Sequence, residues 1–599
     1  MSTVNGPGAM PSVSVSPGAD LSRGRAAGLG RGLTAAFRRW PAAFAVLLYV
    51  LGALVAQRHA VAHFDTVVSG NGVGDPTQFM WSMWWWPHAL LHGINPFITH
   101  EIWFNDPYNL ASVTTVPLPS LVAAPVTGLF GPVVSYNLLN LLAPVLSAYC
   151  GYRLCRYLTQ NVAAAILGGW LYGFCTYGLG QLEGHLQLVF TFGPPLLLEL
   201  SLRRADLNVG RVRFVVLGAV VLGAEILCGT ELTFTLTCMG AVTLLAALVF
   251  GPGDRRRRIV ALLPELAGVY VLAAIVCSPY IYYALKGPEV GVGQGLIYPA
   301  DLLSFIIPTP VSWLGGSLFK TTSAHFIAGY CEEGTYLGLP LIAIIAAHTV
   351  ESWRRPRTRV LIVVIVVAFV WSLGQVLNVD GHASIHLPFD DIATKKGFNE
   401  LLPSRIGLYV ELGAAVTAAL WVSAPGARRR WLRWGMALAA VVFLFPNANS
   451  VEPTGAPIFN ETYTPVSFFT HGTFKRYLYP NEVVLPIPFG YLGDSLLWQA
   501  QANGFFRLAS GWFGYWPSDF YNDPVVMQMI GATSSTSPNP VTGMRSFILD
   551  HQVGAVVVQD GQGGPWPAVF SQLGLKPIDV GGVALYKIPV NAAGVAALN

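Results

Sequence analysis

The chain has 599 residues, 53% of them hydrophobic and only 11% charged, with a formal net charge of +4. Such a composition excludes an ordinary soluble protein and defines a polytopic α-helical membrane protein, and so small a charge on so long a chain argues against nucleic acid as a main partner. The seven cysteines (Cys150, Cys155, Cys175, Cys228, Cys238, Cys277 and Cys331) lie in or beside apolar segments without a CxxC pair, which argues against a zinc site or a disulfide framework.

Residues 1–39 are rich in Gly, Pro, Ser and Ala, carry Arg23, Arg25, Arg31, Arg38 and Arg39, and lack apolar periodicity, so they read as a disordered basic tail on the cytoplasmic side. The apolar run Pro41–Ala56 comes next, with nothing resembling a signal-peptidase site, and reads as an uncleaved anchor. Further runs approaching the ~20 residues a spanning helix needs occur at 133–152, 162–180, 186–202, 214–229, 232–251, 259–284, 334–350, 359–376, 404–424 and 431–446, giving about 11 transmembrane helices within 40–446.

Arginine clusters set the orientation, because Lys and Arg are retained on the cytoplasmic side. They are Arg153/Arg156, Arg203/Arg204/Arg211/Arg213, the run 255–258, Arg354/Arg355/Arg357/Arg359 and Arg428/Arg429/Arg430/Arg433, each between two spans and separated from the next cluster by two more. The other connections then face outward, beginning with a long first loop at 57–132. Within it, 115–131 is apolar but holds Pro117, Pro119 and Pro125; counting it as a span would invert every later cluster, so it reads as interfacial or re-entrant. After 446 the composition becomes mixed, with strand patterns at 483–487, 555–558 and 583–588 between Gly and Pro turns, so 447–599 reads as an extracytoplasmic α/β domain.

The outer loops collect the polar residues. Asp75, between Gly74 and Pro76, is a turn-presented carboxylate and the leading general base; the tryptophans beyond it would desolvate it and raise its pKa. Aspartate is also a common turn former or helix cap. Asp65 is the second catalytic candidate. Trp81, Trp84, Trp85 and Trp86 read as an interfacial anchor, and Trp81, Trp84 and Trp85 share a helical face that would also suit a prenyl chain or a sugar ring.

Substrate-binding candidates are Gln78, Trp81, Trp85, His185, Glu231 and Glu333, with Lys395, Lys396 and Arg405 as cations for a phosphate or diphosphate lipid head. The bland readings are snorkelling for His185 and Glu231 and pairing with Asp390, Asp391 and Glu400 for the cations. Asp390 and Asp391 could hold a divalent cation such as magnesium or manganese, but no ligand spacing is diagnostic, so no cofactor is assigned. Walker, GxSxG and HExxH signatures are missing, and the stretch 291–295 lacks the βαβ setting of a nucleotide fingerprint.

Gly74-Asp75 with Gln78, Trp81, Trp84 and Trp85, then His92-Gly93-Ile94-Asn95-Pro96-Phe97 and Pro107-Tyr108-Asn109-Leu110, resemble the first outer loop of bacterial GT-C-type membrane glycosyltransferases. Tyr136-Asn137-Leu138-Leu139, Gly184-His185-Leu186, Asp301-Leu302-Leu303-Ser304, Glu333 with Tyr336-Leu337-Gly338, and Leu402-Pro403-Ser404-Arg405 continue the resemblance. It implies an acidic base in the first outer loop, here Asp75, a polyprenyl-phosphate sugar donor, and inversion at the anomeric carbon. Many members pair two acids in this loop; Asp75 has no acidic neighbour, which leaves Asp65 open as its partner.

The expectation is a glycosyltransferase in a bacterial plasma membrane, moving sugar to a cell-envelope glycan, lipid or protein on the outer face. The alternative is a transporter, flippase or assembly scaffold for lipid-linked saccharides. That alternative calls for ionisable groups within the spans, which here are few, chiefly Glu225, Glu265 and Glu411.

Overall fold

The structure is a computed structural model and describes residues 39–70, 74–104, 106–287, 298–315, 318–395, 397–399, 401–426, 430–449, 460–514, 516–531 and 539–589. The tail up to Arg38, the 291–295 loop, Lys396 and Glu400 lie outside them. By compactness the chain divides into units 1–48 and 49–599. The described part of the first is Arg39, Trp40 and the opening turns of helix α1 (Pro41–Ala56); the elements from Arg58 onward belong to the second.

Helix α2 (Asp75–Leu91) starts where the sequence predicts a turn. Gly74 takes φ +70°, a conformation that favours glycine, and Pro76 occupies the first turn, where a missing N–H breaks no helical bond. Helix α3 (Pro117–Phe130) has 14 residues and is about 21 Å long. Helix α4 (Pro132–Thr159) comes next, and α5 (Val162–Gly173) packs closely on it. A Cβ on Gly173 would lie 2.3 Å from that of Ala148, so only glycine permits this approach. The bundle continues through α6 (Thr176–Gln181), α7 (Gly193–Ala205), α8 (Arg211–Cys228), α9 (Thr230–Phe250), α10 (Gly253–Val276), α11 (Gly338–Ser352), α12 (Pro356–Ser372) and α13 (Gly407–Ser423).

Among the described residues, four helices are long and apolar enough to cross a membrane by length and composition: α4, α9, α10 and the segment Pro403–Ser423 that ends in α13. This is fewer than the sequence pattern predicts, because several apolar runs form shorter helices, among them α1, α5 and α11. Ion pairs tie several of the arginine clusters to neighbouring segments, Arg428 and Arg429 lying outside the described residues. Arg153 pairs with Glu199 at 3.1 Å, Arg204 with Glu265 at 2.6 Å and Arg255 with Asp206 at 2.9 Å, which joins the first three clusters; Arg433 reaches Glu351 at 2.8 Å.

Strand β1 (Val67–Ser69), just before α2, pairs antiparallel with β2 (Asn460–Thr462), so the first loop is stitched to the chain beyond the last helix of the bundle. Beyond β2 comes a five-stranded mixed sheet, built from β3 (Val483–Ile487), β4 (Arg507–Leu508), β5 (Ala555–Gln559), β6 (Pro577–Val580) and β7 (Val583–Lys587) in the order β6-β7-β5-β3-β4. β3 runs parallel to β4 and β5, and β7 antiparallel to β5 and β6. The three apolar strand patterns are thus found, and the short β4 and the exposed β6 join them at the edges.

The tryptophans of α2 are not a lipid-facing belt. Trp81, Trp84, Trp85 and Trp86 are all buried, in one core with Phe489, Trp498 and Phe513 from the sheet region. Each indole N–H is satisfied inside the protein: Trp81 by Gln499 Oε1 at 2.6 Å, Trp84 by Asn503 Oδ1 at 2.9 Å, Trp85 by the Pro96 carbonyl at 2.9 Å and Trp86 by that of Thr115 at 3.1 Å. An aromatic ring whose single polar atom has an internal partner gains nothing from the headgroup region, so the face predicted to meet lipid instead seats α2 against the sheet.

Candidate functional site

Asp75 is the first residue of α2, where the helix dipole favours a carboxylate. Its Oδ1 accepts a hydrogen bond from the Trp512 indole at 2.8 Å, and its Oδ2 lies 3.3 Å from His185 Nε2. Its side chain is 33% exposed, so the carboxylate is oriented from inside yet reachable from outside.

His185 lies just after α6 and is set by Gln181, one turn earlier. Gln181 Nε2 donates to the Cys331 carbonyl at 2.9 Å and to Glu332 Oε2 at 3.2 Å. That fixes the amide's orientation, so Gln181 Oε1 must accept from His185 Nδ1 at 2.8 Å and Nδ1 carries a proton. The other nitrogen, Nε2, faces Asp75.

Beneath this pair lies Arg405. Its Nε donates to Glu332 Oε2 at 2.9 Å and its Nη2 to Glu332 Oε1 at 2.5 Å, a bidentate pair, while Nη1 reaches Glu231 Oε2 at 2.5 Å. Segments distant in sequence therefore bring three carboxylates and two basic side chains together. Burial raises Asp75, but the His185 hydrogen bond and charge, the Trp512 hydrogen bond and the Arg405 charge outweigh it, so the carboxyl ends below its usual range. Burial lowers His185, and Asp75 and Glu332 reverse that and hold it above its usual value. Glu332, raised by burial, is brought down by Arg405 and His185. At neutral pH Asp75 is ionised. The predicted rise from neighbouring tryptophans does not occur, because those rings point into the core and the groups that do meet Asp75 are donors and cations.

Of the residues singled out from sequence, Asp75, His185, Glu231 and Arg405 come together. Asp65 is exposed and lines a separate cavity. Gln78 is buried one turn into α2, and Trp81 and Trp85 are buried without a face for substrate. Glu333 is buried beside Asp301, whose backbone N–H it accepts at 3.3 Å, and burial and Asp301 push its carboxyl up to about 8. Asp301 in turn accepts from the backbone N–H groups of Asp380 at 3.1 Å and Gly381 at 2.8 Å, tying two loops together. Lys395 is exposed; Arg405 is committed to two glutamates rather than to a patch with Lys395. Asp390 pairs with His386 at 2.8 Å.

Sequence reasoning missed Trp512, Gln181, Cys331 and Glu332 as members of this cluster. Gln181 could have been found from its four-residue spacing to His185. Trp512 carries no such signal.

His185, Cys331 and Glu332 offer ligand atoms within 4.8 Å of one another, a possible metal geometry. As arranged, they do not fit one. His185 Nδ1 is a donor to Gln181, both Glu332 oxygens are held by Arg405, and burial with the neighbouring carboxylates pushes the Cys331 thiol well up, so it keeps its proton.

The helical bundle with its mixed sheet is a GT-C fold. A mycobacterial arabinofuranosyltransferase, AftD, superposes with a TM-score of 0.54 at 14% identity over 92% of this chain. The oligosaccharyltransferase of Archaeoglobus fulgidus superposes at 0.52, with 10% identity, over 88% of this chain and 71% of its own. This chain spans 40% of the length of AftD. No curated protein matches in sequence. The chain belongs to the family described as "Domain of unknown function (DUF6311)", which it matches over residues 40–398.

Proposed function

We propose that this chain is a membrane glycosyltransferase that moves a sugar from a polyprenyl-phosphate donor to a glycan, lipid or protein acceptor of the cell envelope, at the outer face of a bacterial plasma membrane. The observation that carries it is the ionised Asp75, held at the start of α2 by Trp512 and His185 and partly open to the outside. Its setting in a fold shared with an arabinofuranosyltransferase and an oligosaccharyltransferase supports sugar transfer as the class of reaction.

In this reading the acceptor hydroxyl gives its proton to Asp75 as its oxygen attacks the anomeric carbon. The bond from that carbon to the phosphate oxygen breaks on the opposite face, with inversion. A lipid phosphate leaves as a weak base, so charge stabilisation replaces a general acid. The groups beside Asp75 that can supply that charge are the Arg405 guanidinium and the His185 ring, which Asp75 and Glu332 hold above its ordinary value. The low pKa makes Asp75 a modest base that is always in its working form; its contribution lies in orienting the hydroxyl.

The test is reconstitution in vesicles with labelled polyprenyl-phosphate sugars, wild type against Asp75→Asn. Transfer is expected with wild type and is expected to fall by about 10²–10⁴ in the variant, the usual worth of a general base. Undiminished transfer by the variant removes Asp75 as base, and lipid translocation without transfer supports the transporter alternative.

A further inference from the structure

A cavity of about 780 Å³ opens at the far end of α2, between α3, the start of α4 and the Gln501–Asn503 turn at the end of helix α14 (Ser495–Gln501). It is distinct from the Asp75 cluster. His88 is 13 residues along α2 from Asp75, about 20 Å at 1.5 Å per residue. The volume falls in the range of small-ligand sites, roughly 300–1,000 Å³.

The lining has a particular chemistry. Trp84, His88 and His92 succeed one another at four-residue spacing and so form a row along one face. Their rings are in contact, Trp84 to His88 at 4.9 Å and His88 to His92 at 4.2 Å between centroids. Trp84 is largely covered, whereas His88 is half-buried and His92 exposed, so the imidazoles present the usable edge. The lining also holds hydrogen-bonding groups of both kinds, the Asp65 carboxylate, the amides of Gln501 and Asn503 and the Thr127 and Thr470 hydroxyls, among apolar side chains such as Leu91, Phe130 and Val133.

Among the described residues, no lysine or arginine lines the cavity, and Asp65 supplies a single carboxylate. Burial and the neighbouring His92 also lower His88, which keeps that ring neutral. A phosphate-bearing lipid head would meet no fixed cation and one anion here, and a bare prenyl chain would offer nothing to the Asp65 carboxylate or to the amide NH2 groups of Gln501 and Asn503, whose oxygens already accept from Tyr463 and Trp84. A neutral polyol suits both halves of the lining: hydroxyls satisfy Asp65, Gln501 and Asn503, and the apolar face of a sugar ring covers the ring row.

We propose that this cavity is a binding site for a neutral oligosaccharide, the acceptor chain, held about 20 Å from Asp75. This rests on the sugar-transfer reading for the word acceptor and on the cavity alone for the saccharide. The separation means that one ligand serving both places extends over several sugar residues, so the acceptor class is an oligosaccharide or polysaccharide rather than a single sugar or a small lipid.

The test is saturation-transfer NMR on the full chain in nanodiscs, against a panel of neutral pentose and hexose oligosaccharides, with polyprenyl phosphate as the charged competitor. The wild type is expected to bind at least one neutral oligosaccharide. Asp65→Asn and His92→Ala change exposed side chains, and each is expected to weaken binding roughly tenfold while thermal unfolding stays unchanged. Asp75→Asn is expected to bind as wild type does. Absence of binding across the panel, binding unchanged in both cavity variants, or displacement of the saccharide by polyprenyl phosphate from these residues would overturn the proposal. Loss of transfer in Asp75→Asn with saccharide binding retained supports both readings; transfer by Asp75→Asn with binding lost in the cavity variants sinks the base assignment and leaves the cavity standing.

Discussion

The indole N–H of Trp512 donates to Asp75 across 437 residues of sequence, at 2.8 Å, and so places a side chain from the sheet region on the carboxylate at the head of α2. Tyr491 packs against the same indole, its ring centroid 5.0 Å away, and limits how the indole can turn. The candidate site is therefore complete only with residues beyond the helical bundle.

The first prediction concerns that bond. Trp512→Phe keeps an aromatic ring and removes the donor. A hydrogen bond to a charged group is worth about 1.5–3 kcal/mol, so transfer should fall roughly ten- to a hundredfold if the bond orients the base. Trp512 is among the groups that lower Asp75, so its loss raises that carboxyl and the acid limb of the rate profile should move to higher pH. A kcat/KM profile over pH checks both; an unmoved acid limb would show that Trp512 serves packing alone.

The Asp75–His185 pair gives a second prediction, on stability. His185 is held above its ordinary value of 6.5, so the stability it contributes is fully present below 6.5 and is lost as pH rises through its higher folded value. Asp75 is held below its ordinary 3.8, so its contribution is present above 3.8 and is lost as pH falls through its lower folded value. The pair is strongest between those limits. Thermal unfolding in detergent should show an alkaline decline in wild type that is smaller in His185→Gln, and equal slopes in the two proteins would refute the pairing.

Arg405 offers a third. Its guanidinium is buried against Glu332 and Glu231, and removing one partner of a buried pair costs about 3–5 kcal/mol because the remaining charges are left uncompensated. Arg405→Met should therefore unfold at a markedly lower temperature. Adding Glu231→Gln and Glu332→Gln to Arg405→Met removes the stranded carboxylates and should recover much of the loss. A triple variant no more stable than the single one would show that packing, not charge, is what Arg405 provides.

These residues mark how far the sequence can be read. Asp75, His185, Glu231 and Arg405 are legible because each polar residue breaks an apolar chain at a position the arginine register assigns to the same face. Their convergence on one cluster is not, since it depends on the crossing of helices hundreds of residues apart. The tryptophans show the opposite failure. A Trp-rich segment beside an apolar run has the composition of an interfacial belt, and only the presence of Gln499, Asn503 and Phe513 on the facing surface makes it a buried seat. The three apolar strands can be found from their own pattern, but the two-residue β4 is defined by its partner β3, and nothing local announces it. Trp512 lies just past that edge, in a stretch of small and aromatic residues typical of any core, and so gives no warning of its contact with Asp75.

The last prediction is at Glu333, a substrate-contact candidate by sequence that the structure buries beside Asp301. Burial, helped by the Asp301 charge, lifts its carboxyl from 4.5 to about 8 despite the two backbone N–H groups it accepts. The folded state thus keeps a proton that the unfolded state releases, so stability declines as pH rises from about 4.5 and the decline is complete above about 8. Glu333→Gln carries no titrating proton and should flatten this part of the curve, matching wild type in acid and exceeding it in alkali. The alkaline decline left in Glu333→Gln includes the share belonging to His185, and combining it with His185→Gln should reduce it further. If Glu333→Gln leaves the slope unchanged, the carboxyl is ionised in the folded protein and the backbone N–H groups of Asp301 and Ala328 outweigh its burial.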